Sequence, residues 1–257
     1  MSSKKISKFV SWPNNFLPVN PPIIQPPLEL KNSPDPVRHG TGPGVTRVYQ
    51  VVDASGSMAH IWTEIVGLLD EQLKVHKEAV KDEHMVYLTT VLFSSKVLPP
   101  TIANFPVDQL EELPDFELIG AMTTLYDAIG TTIKLVDADF QDGNNEAVLF
   151  QIFTDGHENL SSEFNQEMIR NMITGREATG KWTFTFFGAN QVAENTAQTL
   201  GIRRGNASSF TTSHRGVENM SAGLARQSRG YHVSRGNGEM SSRCFAGDES
   251  EKSYDIE

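Results

Sequence analysis

Short apolar segments that predict strands alternate with longer segments of helical periodicity from about residue 45 to residue 225. The strand segments are rich in β-branched and aromatic residues, whereas the helical segments repeat apolar residues every three or four positions. Such alternation favours a mostly parallel sheet with helices on both faces. The predicted strands are 47–53, 84–93, a short edge strand at 95–98 that Pro99 and Pro100 stop, 147–153, 182–187 and 208–211. The predicted helices are 57–80, 124–136, 162–179, 191–200 and 214–225.

Composition divides the chain into three parts. Residues 1–44 contain nine of the thirteen prolines, which lack the N–H donors that helices and central strands need. Apolar side chains are interleaved with these prolines, so we predict an extended arm that lies on its own domain or on a neighbouring subunit. These apolar residues are Phe9, Trp12, Phe16, Leu17, Ile23, Ile24, Leu28 and Leu30. Residues 45–229 form the predicted α/β domain, and residues 230–257 form a polar, flexible tail.

Charge and cysteine content restrict the classes of partner. Residues 45–200 contain nine Lys or Arg against 23 Asp or Glu, so an acidic domain argues against a nucleic-acid partner. Residues 203–243 carry seven Arg against two Glu, which indicates either a solvated surface or a docking segment for an acidic partner. The single cysteine, Cys244, excludes an intramolecular disulfide and favours a reducing compartment. No apolar run is long enough to span a membrane, and the first residues are a poor signal peptide.

Oxygen-bearing side chains lie at three of the predicted boundaries between strands, loops and helices. Asp53, Ser55 and Ser57 end the first strand, Thr123 precedes a helix, and Asp155 ends the strand 147–153. In an open parallel sheet, ligands bind beyond the carboxyl ends of the strands, so these side chains are expected to converge there. The alternative for the first group is a helix N-cap, which needs only one of the three residues.

This set of motifs resembles the metal-ion-dependent adhesion site (MIDAS) of von Willebrand factor type A (vWA) domains. The resemblance covers residues 45–200, and a narrower one relates the stretches around Asp155 and Trp182 to small stand-alone vWA proteins of tailed bacteriophages and bacteria. It implies a Rossmann-like three-layer α/β/α sandwich whose sheet has one short antiparallel edge strand. It also implies a metal site made by Asp53, Ser55, Ser57, Thr123 and Asp155.

The second loop offers two threonines for this site. The usual family pattern is Thr, one residue, then Leu-Tyr-Asp-Ala-Ile, which favours Thr123, and Thr124 is the competing candidate. Asp127 is interpreted as a helix-surface or capping residue. His157 and Glu158 flank the third loop, either as rim residues that tune partner choice or as plain solvent-exposed residues.

The donor set fits Mg²⁺, with Mn²⁺ or Ca²⁺ as alternatives, because these ions prefer oxygen ligands. Two neighbouring carboxylates repel each other unless a cation lies between them. Three neutral hydroxyls and two carboxylates leave the ion short of negative charge and with an exchangeable position. A protein partner that supplies an Asp or Glu would satisfy both needs. We therefore expect a metal-dependent protein–protein interaction module.

The expected setting is a phage particle or another multiprotein assembly, with the arm contacting neighbouring subunits and the protein in the virion or the cytoplasm. A cytosolic adaptor for an ATPase or stress-response partner is the alternative. A metal-dependent hydrolase is a second alternative. The sequence has no nucleophile elbow of the Gly-x-Ser-x-Gly type and no phosphate-binding P-loop motif. The chain is therefore expected not to be an enzyme.

Overall fold

A computed structural model of the chain describes residues 44–80, 85–140, 146–155, 158–189, 192–211 and 213–236. The predicted arm, apart from Gly44, and the predicted tail from residue 237 onward lie outside the described residues. The strands are β1 Val45–Asp53, β2 Met85–Phe93, β3 Ile102–Pro106, β4 Glu146–Thr154, β5 Trp182–Ala189 and β6 Ala207–Phe210. The helices are α1 Trp62–Ala79, α2 Leu125–Asp139, α3 Gln166–Glu177, α4 Val192–Thr199 and α5 His214–Gly236.

The six strands form one sheet in the order β3-β2-β1-β4-β5-β6. All neighbouring pairs are parallel except β2 and β3, which are antiparallel. Helices α1 and α5 pack on one face of the sheet, and α2, α3 and α4 pack on the other. The predicted fold class, a mostly parallel Rossmann-like sandwich with one antiparallel edge strand, is therefore confirmed.

The strands are buried on both faces, which explains why their apolar character is nearly continuous. All nine residues of β4 are buried. Within β1, Val48 and Val52 belong to the core beneath α1 and α5, whereas Tyr49 and Val51 belong to the core on the opposite face. This alternation follows from the two-residue period of a strand, and it creates two separate apolar layers.

The antiparallel edge strand does not lie where the sequence predicted it. Residues 94–96 form a bend, and Val97 makes only an isolated bridge with Phe93. Regular pairing with β2 resumes at Ile102, after the two prolines. Pro99 and Pro100 lack the N–H donors that a ladder requires, so they interrupt the hairpin rather than end it.

Helix α5 is longer than predicted, because it continues past residue 225 to Gly236. The predicted domain boundary after residue 229 falls inside this helix. The buried face of this helix includes Met220, Leu224, Ser228 and Tyr231, which recur every three or four residues. Although α5 has 23 residues, no helix in the described ranges is both long and apolar enough to cross a membrane.

The basic segment that contains α5 pairs in part with the chain's own acidic residues. The guanidinium of Arg229 lies 3.0 Å from the Glu78 carboxylate and 3.7 Å from that of Glu71, both on α1. Arg203 lies 3.5 Å from the carboxylate of the buried Glu177. Part of the positive charge that suggested docking of an acidic partner is therefore used inside the domain.

Two buried histidines join α1 to α5. Nδ1 of His76 and Nε2 of His232 are 2.9 Å apart, and the Ser228 hydroxyl donates to Oε1 of Gln72 at 2.6 Å in the same interface. Burial lowers the pKa of His76 to about 3, because the charged imidazolium loses its hydration. His76 is therefore neutral in the folded protein at every pH at which the protein is ordinarily handled.

We predict that this burial makes the fold sensitive to mild acid. Below about pH 6.5 the unfolded chain protonates His76 while the folded chain does not, so stability present at pH 7.5 is lost as the pH falls. The loss approaches about 1.4 kcal/mol per pH unit well below pH 6.5, and it amounts to about 1.6 kcal/mol between pH 6.5 and pH 5. Urea unfolding of the parent chain and of His76→Gln at both pH values measures this difference.

The exposed His60 supplies the matched control for this prediction. His60→Gln removes an exposed imidazole and controls for the loss of a histidine as such, whereas His76→Gln should lose about 1.6 kcal/mol less than the parent between the two pH values. Equal pH dependence in the parent chain and in His76→Gln would show that His76 is not buried in its neutral form.

Candidate metal centre

The predicted site residues lie where the strand order of the sheet reverses. From β1 the chain crosses over α1 to β2 on one side, whereas β4 pairs with β1 on the other side. The loops that leave β1 and β4 therefore diverge and open a crevice at the carboxyl ends of these two strands. Such a crevice is the usual ligand position in open α/β sheets.

Asp53 is the last residue of β1, and its side chain is fully buried. Its Oδ1 accepts a hydrogen bond from the Ser55 backbone N–H at 2.9 Å, and its Oδ2 accepts one from the Thr154 hydroxyl at 2.7 Å. Burial raises the pKa of Asp53, the hydrogen bonds from Thr154 and Ser55 partly oppose that increase, and the nearby Asp155 charge adds to it. The strand end thus holds a carboxylate in a poorly solvated place.

Ser55, Ser57 and Asp155 form a chain of hydrogen bonds that leads outward from this crevice. The Ser57 hydroxyl donates to Oδ1 of Asp155 at 2.8 Å, and the hydroxyls of Ser55 and Ser57 are 2.9 Å apart. The Ser55 side chain also hydrogen-bonds to Asp53, so Ser55 links the buried carboxylate to the outer pair of Ser57 and Asp155. Ser55 is buried, Asp155 is half-buried and Ser57 is exposed, so the chain runs from the interior to solvent.

The helix-capping alternative for the first loop does not describe these hydroxyls. A short 3₁₀ turn, Gly56–His60, follows Ser55 and precedes α1, and no side-chain hydrogen bond caps it. The hydroxyls of Ser55 and Ser57 are directed instead into the hydrogen-bonded chain that ends at Asp155. The unusual group of three oxygen-bearing residues after β1 is therefore not explained by local helix capping.

A segment before α2 crosses the ends of β1 and β2 at very close range. Gly120 forms a parallel bridge with Ser55, and its carbonyl accepts the Gly56 N–H at 2.6 Å. A Cβ atom at Gly120 would lie 2.5 Å from the Ser94 hydroxyl oxygen, which is closer than real Cβ atoms approach a neighbour. Glycine is therefore required here, and its small size brings the second loop against the first.

The two candidate threonines of the second loop have different surroundings. The Thr124 hydroxyl donates to the Ser94 carbonyl at 2.9 Å. Thr123 is buried; its N–H donates to Asn159 Oδ1 at 2.9 Å, and its carbonyl accepts the Asn159 N–H at 3.1 Å. Among the described residues, no hydrogen bond joins the Thr123 hydroxyl to Asp53, Ser55, Ser57 or Asp155.

The structure thus brings four of the five predicted residues together at one edge of the sheet. Asp53 is hydrogen-bonded to Thr154 and to the Ser55 N–H, and Ser55, Ser57 and Asp155 are linked through their side chains. The structure sets Thr123 at the same edge, through Asn159 of the third loop and through the Gly120 crossing. Thr154 and Asn159, which contact Asp53 and Thr123, were not predicted. Their only sequence signal is their position beside Asp155, because polar residues after a strand are common and their partners are distant in the chain.

Two carboxylates fasten the third loop to the start of α2. Glu158 accepts the N–H groups of Tyr126, Leu160 and Ser161, and also the Ser161 hydroxyl, at 2.6 to 2.9 Å. Asp127 accepts the N–H groups of Ser162, Glu163 and Phe164 at 2.9 to 3.0 Å. We call this set of contacts the loop clamp.

The loop clamp settles three expectations from the sequence. Asp127 was predicted to be a helix-surface or capping residue, but it is buried and accepts N–H groups of the third loop. Glu158 is half-buried and holds the loop rather than being plainly solvent-exposed. Helix α3 begins at Gln166 rather than at residue 162, because the N–H groups of residues 162–164 are directed to Asp127. His157 lies outside the described residues.

The donor chemistry of the crevice matches a hard divalent cation. All donors are oxygens, from two carboxylates and from the hydroxyls of Ser55, Ser57 and Thr123, and such ligands suit Mg²⁺, Mn²⁺ and Ca²⁺. No described Lys, Arg or His forms an ion pair with Asp53 or Asp155. Within the described ranges, no three His, Cys, Asp or Glu side chains cluster closely enough to hold a metal ion. Any metal site here therefore depends on hydroxyl ligands.

Comparisons with known proteins support the fold and go no further. No protein-family model and no curated protein matches the chain. Among solved structures, 75% of the chain aligns with 31% of the pilus adhesin SpaC from Lactobacillus rhamnosus GG, with a TM-score of 0.56 and 12% identity. Proximal thread matrix protein 1 from the mussel byssus aligns over 73% of the chain and 47% of its own length, with a TM-score of 0.46 and 12% identity. The chain thus spans less than half the length of either protein.

We predict that the loop clamp contributes substantially to stability. Asp127→Ala leaves three backbone N–H groups without their carboxylate acceptor, so the free energy of unfolding should fall by about 2–3 kcal/mol. Asp137→Ala is the matched control, since Asp137 is on the same helix but pairs with Arg176 at the surface. The control should change stability by less than about 1 kcal/mol. Equal losses in urea unfolding would contradict a specific role for Asp127.

Proposed function

We propose that this chain is a metal-ion-dependent protein-docking module and not an enzyme. In this proposal Asp53, Ser55, Ser57, Thr123 and Asp155 hold Mg²⁺ at the crevice, and a carboxylate of a partner protein completes the coordination of the ion. The observation that carries the proposal is the hydrogen-bonded chain from Ser55 through Ser57 to Asp155, beside the buried Asp53. The loops after β1 and β4, which are distant in sequence, meet through these hydrogen bonds, and the proposal adds Thr123 from the loop before α2.

The electrostatics of the crevice support a bound cation. Asp53 is fully buried and accepts hydrogen bonds only from neutral donors among the described residues, while the charge of Asp155 acts against it. A divalent cation between the two carboxylates would remove this repulsion and compensate for the lost hydration. The Ser57 hydroxyl, now directed to Asp155, has a lone pair that suits a metal.

The same donor set supports a docking role. Mg²⁺ prefers six oxygen ligands and readily retains exchangeable water. Hydroxyl ligands are neutral, so the ion would keep net positive charge toward solvent and attract an anionic side chain. Ser57 and Asp155 lie at the accessible end of the crevice, where a partner approaches. An Asp or Glu of a partner is therefore the proposed ligand.

The loop clamp favours docking over hydrolysis. A metal hydrolase needs a general base beside the ion, and two candidate carboxylates are Glu158 of the third loop and Asp127 in the first turn of α2. Both are occupied by backbone N–H groups, seven hydrogen bonds in total counting the Ser161 hydroxyl. We therefore assign them a structural role. The proposed setting, a phage particle or another multiprotein assembly, derives from the sequence resemblance.

We predict that Mg²⁺ binds with measurable heat in titration calorimetry and raises the melting temperature, because it binds only the folded state. The double variant Asp53→Ala with Asp155→Ala should lose both effects while keeping a native circular dichroism spectrum. Glu163→Gln, which changes an exposed carboxylate of the segment before α3, is the control and should behave like the parent chain. Undiminished Mg²⁺ binding in the double variant would reject the proposed ligand set.

Docking itself is tested by affinity capture with the full-length chain in Mg²⁺ and in EDTA, followed by mass spectrometry. A partner that uses the ion should be retained in Mg²⁺, released by EDTA and absent with the double variant. A partner retained equally in both buffers would contradict metal-dependent docking even if Mg²⁺ binding is confirmed.

A pair of threonine variants separates the two candidates in the second loop. Thr123→Val removes the proposed ligand hydroxyl and should weaken Mg²⁺ binding with little loss of stability. Thr124→Val removes the hydrogen bond to Ser94 and should lower the free energy of unfolding by about 1 kcal/mol without weakening Mg²⁺ binding. The opposite pattern in calorimetry and urea unfolding would assign the metal to Thr124.

A further inference from the structure

Three of the four exposed large apolar side chains in the described ranges lie on segments at the edge of the sheet that carries the candidate metal centre. Four large hydrophobic side chains of the described residues are exposed, namely Met122, Leu160, Met168 and Val233. Met122 and Leu160, at 39% and 42% exposure, are the chain neighbours of Thr123 and Asn159, which hydrogen-bond to each other. Met168 lies in the first turn of α3, which begins at the same edge. We call Met122, Leu160 and Met168 the apolar rim.

The apolar rim indicates what kind of ligand the crevice accepts. Exposed apolar groups that gather beside a binding crevice mark interaction surfaces, whereas singly scattered ones carry no such meaning. A ligand that contacts the metal and the rim together needs a carboxylate flanked by apolar side chains. Two exposed acidic residues, Glu163 and Glu167, are close in the chain to Leu160 and Met168 of the apolar rim.

One segment of the chain's own N-terminal arm has this chemistry. Residues 1–43 contain only two acidic residues, Glu29 and Asp35. Glu29 lies between Leu28 and Leu30 and is followed by Lys31, whereas Asp35 lies between two prolines. Glu29 therefore offers a carboxylate with an aliphatic side chain on each side and a cation for the acidic residues close to the apolar rim.

Chain length also favours Glu29 over Asp35. Gly44 lies at the amino end of β1, so the crevice beyond Asp53 is nine residues away along the strand, or about 30 Å. Fifteen residues separate Glu29 from Gly44, and at polyproline spacing they reach about 47 Å. The nine residues from Asp35 reach about 28 Å at the same spacing, which is less than the distance along the strand.

The overall charges of the two parts are complementary. Residues 1–43 carry five Lys or Arg against two acidic residues, whereas residues 45–200 carry nine against 23. Such opposite charge favours association of the arm with its own domain, where the tether keeps its local concentration high.

We propose that the Glu29 carboxylate of the arm docks in cis on the metal held at the crevice, with Leu28 and Leu30 against the apolar rim. This inference rests on the proposed function, since it needs a metal at the crevice. The arm then acts as an internal ligand that an external carboxylate must displace. Metal-dependent docking is thereby limited to partners that compete with the tethered segment.

Paramagnetic NMR on the full-length chain tests the proposal. Mn²⁺ replaces Mg²⁺, and electron resonance of free Mn²⁺ first establishes that the ion binds to the parent chain and not to Asp53→Ala with Asp155→Ala. Failure at that step rejects the proposed function, and with it the inference. Once binding is established, Mn²⁺ should broaden the amide signals of Leu28, Glu29 and Leu30 relative to a Mg²⁺ reference.

Matched variants separate the metal contact from the rim contact. Glu29→Gln should remove the broadening and weaken Mn²⁺ binding severalfold, whereas Asp35→Asn should change neither. Met122→Ser with Leu160→Ser should reduce the broadening while Mn²⁺ remains bound, and Val233→Ser, which changes an exposed apolar residue at the other end of α5, should not. Bound Mn²⁺ without broadening of residues 28–30 overturns the inference and leaves the metal site intact.

A mixing experiment distinguishes the chain's own arm from that of a second copy. The Asp53→Ala, Asp155→Ala chain is isotope-labelled and mixed with unlabelled parent chain loaded with Mn²⁺. Docking in cis predicts no broadening of the labelled arm, because its own site cannot hold the ion. Broadening of residues 28–30 in the mixture would overturn the cis assignment and show that the arm docks on a neighbouring copy.

Discussion

The parallel pairing of β1 with β4 places the parts of the candidate metal centre relative to one another. Their register sets Val52 opposite Phe153, so Asp53 and Thr154 reach the same level of the sheet and the Thr154 hydroxyl meets the Asp53 carboxylate. One residue further along the chain, Asp155 reaches the Ser57 hydroxyl. A slip of one residue in this register would turn each of these side chains to the opposite face of its strand. The crevice therefore depends on the same ladder of hydrogen bonds that holds the centre of the sheet.

Hydrogen bonds to backbone groups hold the loops around this crevice, together with the apolar packing of Phe116 and Phe164. Gly120 brings the second loop against the first, and the loop clamp of Asp127 and Glu158 fastens the third loop to α2. The buried N–H groups of such loops need acceptors, and carboxylates are strong ones. Acidic residues near the site consequently have two separate roles. Asp53 and Asp155 face the crevice, whereas Asp127 and Glu158 accept backbone N–H groups and hold the loops in place.

Buried polar groups also form hydrogen bonds between α1 and α5, the two helices that share one face of the sheet. Helix α5 packs on α1 through the His76–His232 and Ser228–Gln72 hydrogen bonds as well as through Leu224. Buried polar groups cost free energy when they lose their partners, so these pairs oppose sliding of α5 along α1. The last residues of α5, from residue 230, were assigned to a polar tail because polar residues such as His232 and Arg235 occupy their buried helical positions.

Local patterns were enough to predict the alternation of strands and helices, and hence the layered parallel sheet, because burial on both faces demands long apolar strands. The sequence also placed Asp53, Ser55, Ser57 and Asp155 at strand ends, since topology sends the carboxyl ends of parallel strands to one edge. Three features could not be predicted in this way: β3 pairs beyond the prolines, α5 extends to Gly236, and Thr154, Asn159 and Glu158 hold the loops of the candidate site. Each of these depends on a partner distant in the chain, and no local pattern records which donor will meet which acceptor.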